Sequence, residues 1–449
     1  MFTLPVRPPF SLGQILLYSF LAFAFALLLT PPFVRFLRQY KLGKQLRVDA
    51  VDGGSASVFL TYHKNKAGTP TMGGVLIWSS ILLTVLVSRV LSLSGTVDHS
   101  LLQRGQVYLP LAMMLCFGIL GAADDYLNIV GADEQKIGKI MPRVRGVLCA
   151  VLLAIIAGTV LVLWRSYHII DILRQLTNVS SSDVFEFSII AGACFLAFFA
   201  LLVIIVGGKA VDGKISRLLI AQGKRRGLNA RPKLVILISL SAVAAYWFYF
   251  RLGSHSIHVP FGENIFGLSG GVLNLGLWYI PFVIFVLIAT ANAVNVTDGL
   301  DGLAGGLLII TFGACGIIAY VSGLYVLAGF CGVIVGALAA FLWHNVPPAL
   351  FFMGDTGSLA LGGTLAVIAF MLDQVLVLPI IGFVFVIEML SVIIQLTSKR
   401  LRNGKKVFLS APFHHHLEAL NWGESKVTMR LWIIGGFFAF LGVLLAIYG

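Results

Sequence analysis

Five aspartates stand in or beside strongly apolar sequence. Asp124 and Asp125 lie in GILGAADDYL, Asp298 and Asp301 in NAVNVTDGLDGLAGG, and Asp355 in FFMGDTGSLALGG. An ionised side chain in hydrocarbon is costly, so acids at such positions point to chemistry or to a partner. Asp298 and Asp301 are three residues apart, which on a helix puts both on one side. Asp124 and Asp125 are neighbours, about 100° apart on a helix, so one is expected to bind a ligand while the other orients a neighbouring group. Carboxylates gathered at a polar boundary repel one another unless a proton or a cation neutralises them. Magnesium suits such a set, because it takes oxygen ligands, keeps part of its water and bridges to phosphate oxygens. Ion pairing with a nearby Lys or Arg would explain one of these aspartates but explains five poorly, with Asn292, Asn295 and Thr297 interleaved. A proton or ion pathway would put acids near mid-span, whereas these sit at span ends.

Two further stretches carry polar chemistry. APFHHHLEALNW holds His414, His415 and His416 in succession, close to Lys399, Arg400, Arg402, Lys405 and Lys406. Successive rings on a helix point about 100° apart, so the three cannot all ligate one metal. Hydrogen bonding of one or two of them to phosphate or substrate fits better, and a polar loop holding its own backbone is the bland alternative. HKNKAGTPTMGG, residues 63–74, places glycines and hydroxyls beside Lys66, which suits phosphate contact or an ordinary turn into a helix. It is not a Walker A loop, since GxxxxGK[ST] is absent.

The elements that must position these residues follow from composition. Of 449 residues, 58% are hydrophobic and 11% charged, with a mean hydropathy of +0.95. That excludes a soluble globular domain, a disordered chain and a secreted disulfide scaffold. The five cysteines lie in apolar runs with no CxxC pair, which argues for packing rather than disulfides or zinc. Windows long enough to cross a bilayer fall near 12–34, 72–95, 107–127, 144–164, 187–207, 234–252, 273–293, 303–322, 324–343, 357–373, 374–396 and 429–448. The expected fold is therefore an all-α polytopic membrane protein of about twelve transmembrane helices, one membrane domain over 1–449. With the N-terminus outside, only Arg7, Arg89, Arg104, Arg165, Arg174 and Arg251 fall on the outer side. The other 26 of 32 Lys and Arg fall on the cytoplasmic side, the bias the positive-inside rule demands. Both termini are then periplasmic, all five aspartates are cytoplasmic, and the net charge of +13 belongs to loops rather than to a nucleic-acid surface.

HKNKAGTPTMGG, the AADDY pair, NAVNVTDGLDGLAGG, FFMGDTGSLALGG, VFVIEMLSVIIQ and APFHHHLE occur in this order. Together they closely resemble the bacterial phospho-N-acetylmuramoyl-pentapeptide transferases (the MraY family), within the wider polyprenyl-phosphate N-acetylhexosamine-1-phosphate transferases. The resemblance implies magnesium-dependent transfer of phospho-MurNAc-pentapeptide from UDP-MurNAc-pentapeptide to undecaprenyl phosphate, giving lipid I and UMP. It also implies a homodimer in the bacterial inner membrane, with its site on the cytoplasmic face. By matching position, Asp355 would bind magnesium, and Asp124, Asp125 and Asp298 would be catalytic. Lys66, Thr71, Asn292, Asn295, Asp301, Asn345, Phe352, His414, His415 and His416 would line the substrate cleft. The chain departs in two places: Asn128 stands where the family has Lys, and the family's GLxARxK stretch arrives only as GLNARPK at 227–233. The intervening 129–224 reads as an inserted segment with two extra spans, an even number that leaves later loops on their sides and accounts for twelve against the family's ten. A sister UDP-HexNAc transferase is the alternative within the class, against which the histidine loop speaks. A polyprenyl-phosphate or ion transporter is the alternative outside it, and would show internal inverted repeats.

Overall fold

The computed structural model describes residues 10–43, 66, 68–102, 105–130 and 230–449. The chain divides into two compact units, one made of 1–125 and 244–449 and the other of 126–243. The inserted segment read from the sequence belongs to the second unit, and its residues 131–224 lie outside the described ones.

The first unit is built on long apolar helices. They are α1 (Leu12–Gln39), α2 (Gly74–Leu93) and α3 (Tyr108–Val130, whose last residues enter the second unit). After α4 (Ala230–Tyr246), which begins in the second unit, come α6 (Tyr279–Thr297), α7 (Leu303–Val321), α8 (Tyr325–Asn345) and α9 (Gly354–Met371). A short α10 (Leu378–Ile381) leads into α11 (Phe383–Leu401), α12 (Phe413–Ala419) and α13 (Glu424–Tyr448). Among the described residues, nine helices are long and apolar enough to cross a membrane. They coincide with nine of the twelve expected windows. Windows 144–164 and 187–207 lie outside the described residues. The remaining window, 374–396, is not one helix: a turn, α10 and Gly382 precede α11, which starts later and runs five residues further.

The all-helical expectation needs one amendment. Ser256–His258 (β1) and Val272–Asn274 (β2) pair antiparallel, Ile257 opposite Leu273, around a short helix α5 (Gly262–Phe266). Three-residue strands are too short to give a period-two signal, so the sequence pattern could not show them.

Packing sets the inside. Helix α8 packs against α1, α7 and α2, and α9 packs against α6 and α2, while α7 also contacts α13. Side chains of α9 are buried nearly all round, and most of those on α7 and α8 are buried too, including Phe312, Phe330 and Phe341. The outer helices expose large apolar groups, such as Leu16, Phe20 and Leu28 on α1 and Ile433, Phe437 and Phe440 on α13, surfaces that hydrocarbon can cover. Hydroxyls inside the helices, such as Thr84, Thr311 and Thr364, donate to carbonyls four residues earlier, which satisfies them without water. One close crossing bears on function. A Cβ on Gly121 would run into the backbone of Asp355 and Thr356, so α3 can lie directly against the first turn of α9.

Candidate active site at the start of helix α9

Asp125 is one helical turn beyond Gly121 and therefore on the same face. Its carboxylate meets the open N-terminus of α9. Oδ1 accepts from the Asp355 N–H at 3.2 Å, and Oδ2 accepts from the Thr356 N–H at 3.0 Å and the Thr356 hydroxyl at 2.7 Å. These N–H groups have no partner within their own helix, and a carboxylate there also meets the positive end of the helix dipole. Asp125 thus orients a backbone, and its neighbour Asp124 is also buried.

The two aspartates that follow α6 are not on a helix, contrary to the three-residue spacing argument. Asp298 is the C-cap of α6 and Asp301 lies in the turn before α7, because the glycines of DGLDG break the helix. Asp298 Oδ2 accepts from the Gly354 N–H at 3.1 Å. Asp301 is buried; Oδ1 pairs with Lys66 Nζ at 2.6 Å and Oδ2 accepts from the Ala349 N–H at 3.0 Å. Asp355, in the first turn of α9, accepts at Oδ1 from Asn295 Nδ2 at 2.8 Å, and Asn295 also donates to Ser358 Oγ. Asp125, Asp298 and Asp355 therefore share one short turn, Gly354–Thr356.

That turn is itself held by the Gly/Pro/Thr stretch before α2. Phe352 N–H donates to the Pro70 carbonyl, Gly73 N–H to the Phe352 carbonyl and Gly74 N–H to the Met353 carbonyl, at 2.8 to 2.9 Å. Gly73 and Gly74 spend their N–H groups on this clasp rather than on an anion. Thr71 is buried within the clasp, and its hydroxyl lies 2.8 Å from where a Cβ on Gly354 would stand. Lys66 reaches past it to Asp301 and Glu424, with its Nζ 6.0 Å from the centre of the Phe352 ring. Asn345 is buried and ties the loops together, accepting from the Gly302 N–H at 3.0 Å and donating to the Phe351 carbonyl at 2.9 Å. Asn292 donates to the Ile288 carbonyl of its own helix.

The three histidines turn to three partners. His414 is fully buried, its backbone N–H at 3.1 and 3.2 Å from the two Glu388 oxygens and its Nδ1 at 3.0 Å from Glu388 Oε2. His415 Nδ1 pairs with Glu418 at 2.7 Å, and His416 Nδ1 accepts from the Leu409 N–H at 3.3 Å. Two carboxylates here were missed by the sequence reading. Glu424 accepts from the Asp301 N–H at 2.7 Å and pairs with Lys66. Glu388 stands alone in the apolar VFVIEMLSVIIQ, a position that carried the same signal as the five aspartates; Glu424, at the polar start of a long apolar helix, carried none.

A multi-pass helical bundle with three aspartates gathered around a helix N-terminus, and a fourth paired with a lysine, defines a membrane protein whose polar chemistry is collected in a few loops and helix ends. The comparisons give that class a name: the profile described as Glycosyl transferase family 4 matches residues 195–373, and phospho-N-acetylmuramoyl-pentapeptide-transferase signature 1 matches 66–77. Similar proteins carrying the name phospho-N-acetylmuramoyl-pentapeptide-transferase include one from Chloroflexus aurantiacus, 32% identical over 97% of this chain and 90% of its own length. Those from Geobacillus sp. and Bacillus cytotoxicus are 32% and 34% identical, each over 95% of this chain and 96% of their own. The chain belongs to the phospho-N-acetylmuramoyl-pentapeptide-transferase family.

Proposed function

We propose that this protein transfers phospho-MurNAc-pentapeptide from UDP-MurNAc-pentapeptide to undecaprenyl phosphate, forming lipid I and releasing UMP. The observation that carries this reading is similarity to transferases of that name along nearly the whole chain. An oxygen of undecaprenyl phosphate attacks the sugar-bearing phosphorus, and the bond from that phosphorus to the oxygen of UMP breaks. The nucleophile is already anionic at neutral pH, so proton removal is not the main difficulty; bringing two polyanions together is.

Magnesium fits the donor set. Asp355 and its neighbours offer only oxygen, the chemistry that ion prefers, and it commonly uses one or two protein carboxylates together with substrate phosphates rather than a closed cage. No group of three His, Cys, Asp or Glu side chains among the described residues forms such a cage. Asp355 would hold the ion, which when bound supplies charge neutralisation to a diphosphate. Asn295 keeps the Asp355 carboxylate turned toward α6, and Asp125 keeps the turn in place. Asp124 and Asp298 complete the proposed catalytic set.

On the donor side, Lys66, Asp301 and Phe352 form the proposed nucleotide pocket, with Thr71, Asn292 and Asn345 behind it and the histidine loop beside it. Glu424 fixes both Lys66 and the Asp301 backbone. Glu424→Gln is therefore expected to raise KM for the UDP donor about tenfold while kcat changes by less than about twofold; steady-state kinetics at varied donor concentration measures this. We also infer twelve crossings of the bacterial inner membrane, with the termini outside and the site on the cytoplasmic face. Homodimerisation follows the same family reading.

The deciding experiment is UMP release by purified protein with undecaprenyl phosphate and magnesium. UDP-MurNAc-pentapeptide and UDP-GlcNAc are offered in parallel, and Asp355→Ala is the control. Release from the muramoyl donor alone, lost in the variant, is expected; release from UDP-GlcNAc would move the chain to a sister branch.

A further inference from the structure

The ring of His414 ends in a contact that nothing in the transfer chemistry uses. Its Nδ1 and backbone N–H are both taken by Glu388, whose side chain is fully buried. Its Nε2 is buried and has no hydrogen-bond partner. That nitrogen backs onto Gly299 so closely that a Cβ there would collide with it. Gly299 lies between Asp298 and Asp301, which engage the Gly354 N–H and Lys66 respectively.

We propose, resting on the transferase reading, that Glu388 is a positioning residue: it clamps His414 by backbone and ring, and the His414 ring sets the height of the Asp298–Gly302 loop. The physical reason is economy of freedom. A histidine held only by its backbone has two open side-chain torsions, and a carboxylate that accepts both N–H groups closes them. The loop above has no side chain at Gly299 to set its own position, so the ring beneath it serves as the stop. The clamp also fixes where the ring proton sits, since an acidic partner keeps hydrogen on Nδ1.

The test uses the full-length protein with the variants Glu388→Gln and Gly299→Ala. Gln has nearly the shape of Glu, but its amide cannot accept from both the backbone and the ring N–H with a carboxylate's strength. Expected for Glu388→Gln is a KM for the UDP donor raised about tenfold or more, with matching weakening of UMP binding measured by calorimetry. The pH dependence of melting gives a readout that packing alone would not move. Burial lowers the pKa of His414, but Glu388, by charge and hydrogen bond, with Glu418 on its own helix and Glu424 from α13, outweighs this and leaves it raised. The ring of His415 lies 4.2 Å away, and Asp298 and Asp301 flank the loop above. A raised histidine pKa gives stability fully present below the ordinary value and lost as pH rises through the folded one. Wild-type melting should therefore fall as pH rises above the ordinary histidine value of about 6.5, and less so in Glu388→Gln.

Unchanged KM and UMP affinity in folded Glu388→Gln would overturn the proposal. If that variant does not fold, Gly299→Ala decides: raised KM and weakened UMP binding support the stop, and wild-type values overturn it. Wild-type protein that releases no UMP marks failure of the transferase reading instead, and the melting comparison still judges the clamp.

Discussion

Asp125→Ala is expected to remove essentially all transfer activity while leaving the helices inserted. The carboxylate accepts three hydrogen bonds, from the N–H groups of Asp355 and Thr356 and from the Thr356 hydroxyl. Both Thr356 donors are buried where α3 presses on α9, and the Asp355 N–H is partly so. Leaving buried donors unmet costs on the order of 3 kcal/mol, enough to lower the melting temperature by several degrees. The larger effect is on geometry. Asp355 sits on the turn that Asp125 holds, and a displacement of about 1 Å at a reacting centre can cost about a hundredfold in rate. Asp125→Asn tests whether the role is capping or proton transfer. The amide oxygen still accepts from one or two donors, but its NH2 would face a third donor, so capping predicts partial activity and partial loss of melting temperature together. A general base would instead lose activity with the melting temperature intact. The measurements are UMP release and thermal melting on the same preparations.

Hydropathy located the helices because each crossing needs a long apolar run, and that constraint is local. The five aspartates stood out because acids are expensive in such surroundings. Their division of labour was hidden, since Asp124 and Asp125 differ only by a rotation about α3, and the meaning of that rotation depends on α9, some 230 residues away. The clasp between Pro70–Gly74 and Phe352–Met353 was invisible for the same reason: backbone pairing of two short irregular stretches leaves no period in either. The spacing of Asp298 and Asp301 misled because it was read on a helix, while α6 ends before Gly299 and Gly302 caps α7, so the two carboxylates turn toward different partners. Glu388 was legible and passed over: a single acid in an apolar helix meets the same energetic test as the aspartates. Its partner, His414, read from the sequence as a ligand for substrate, is buried with its Nε2 against Gly299.

Gly354→Ala should inactivate the enzyme almost as completely, by pushing on the same turn from the other side. Gly354 has φ of +72°, in the left-handed region, where a side chain costs about 1 kcal/mol or more. Space makes the change worse: the new Cβ would stand 2.8 Å from Thr71 Oγ1 and closer still to Asp125 Oδ2. Neither neighbour can step aside cheaply, since Asp125 is fixed by its three hydrogen bonds and Thr71 by the clasp. The turn must therefore yield, and its N–H is the one that Asp298 accepts. A loss of kcat of about a hundredfold is expected. The nucleotide pocket around Lys66 and Asp301 does not share this turn, so KM for the UDP donor should change little. Combining the change with Asp125→Ala separates the causes. Removing the Asp125 carboxylate removes the closest collision, so the double variant should lose less melting temperature than the two singles added together. Strict additivity would mean that backbone strain alone, and not contact with Asp125, makes glycine necessary at this position.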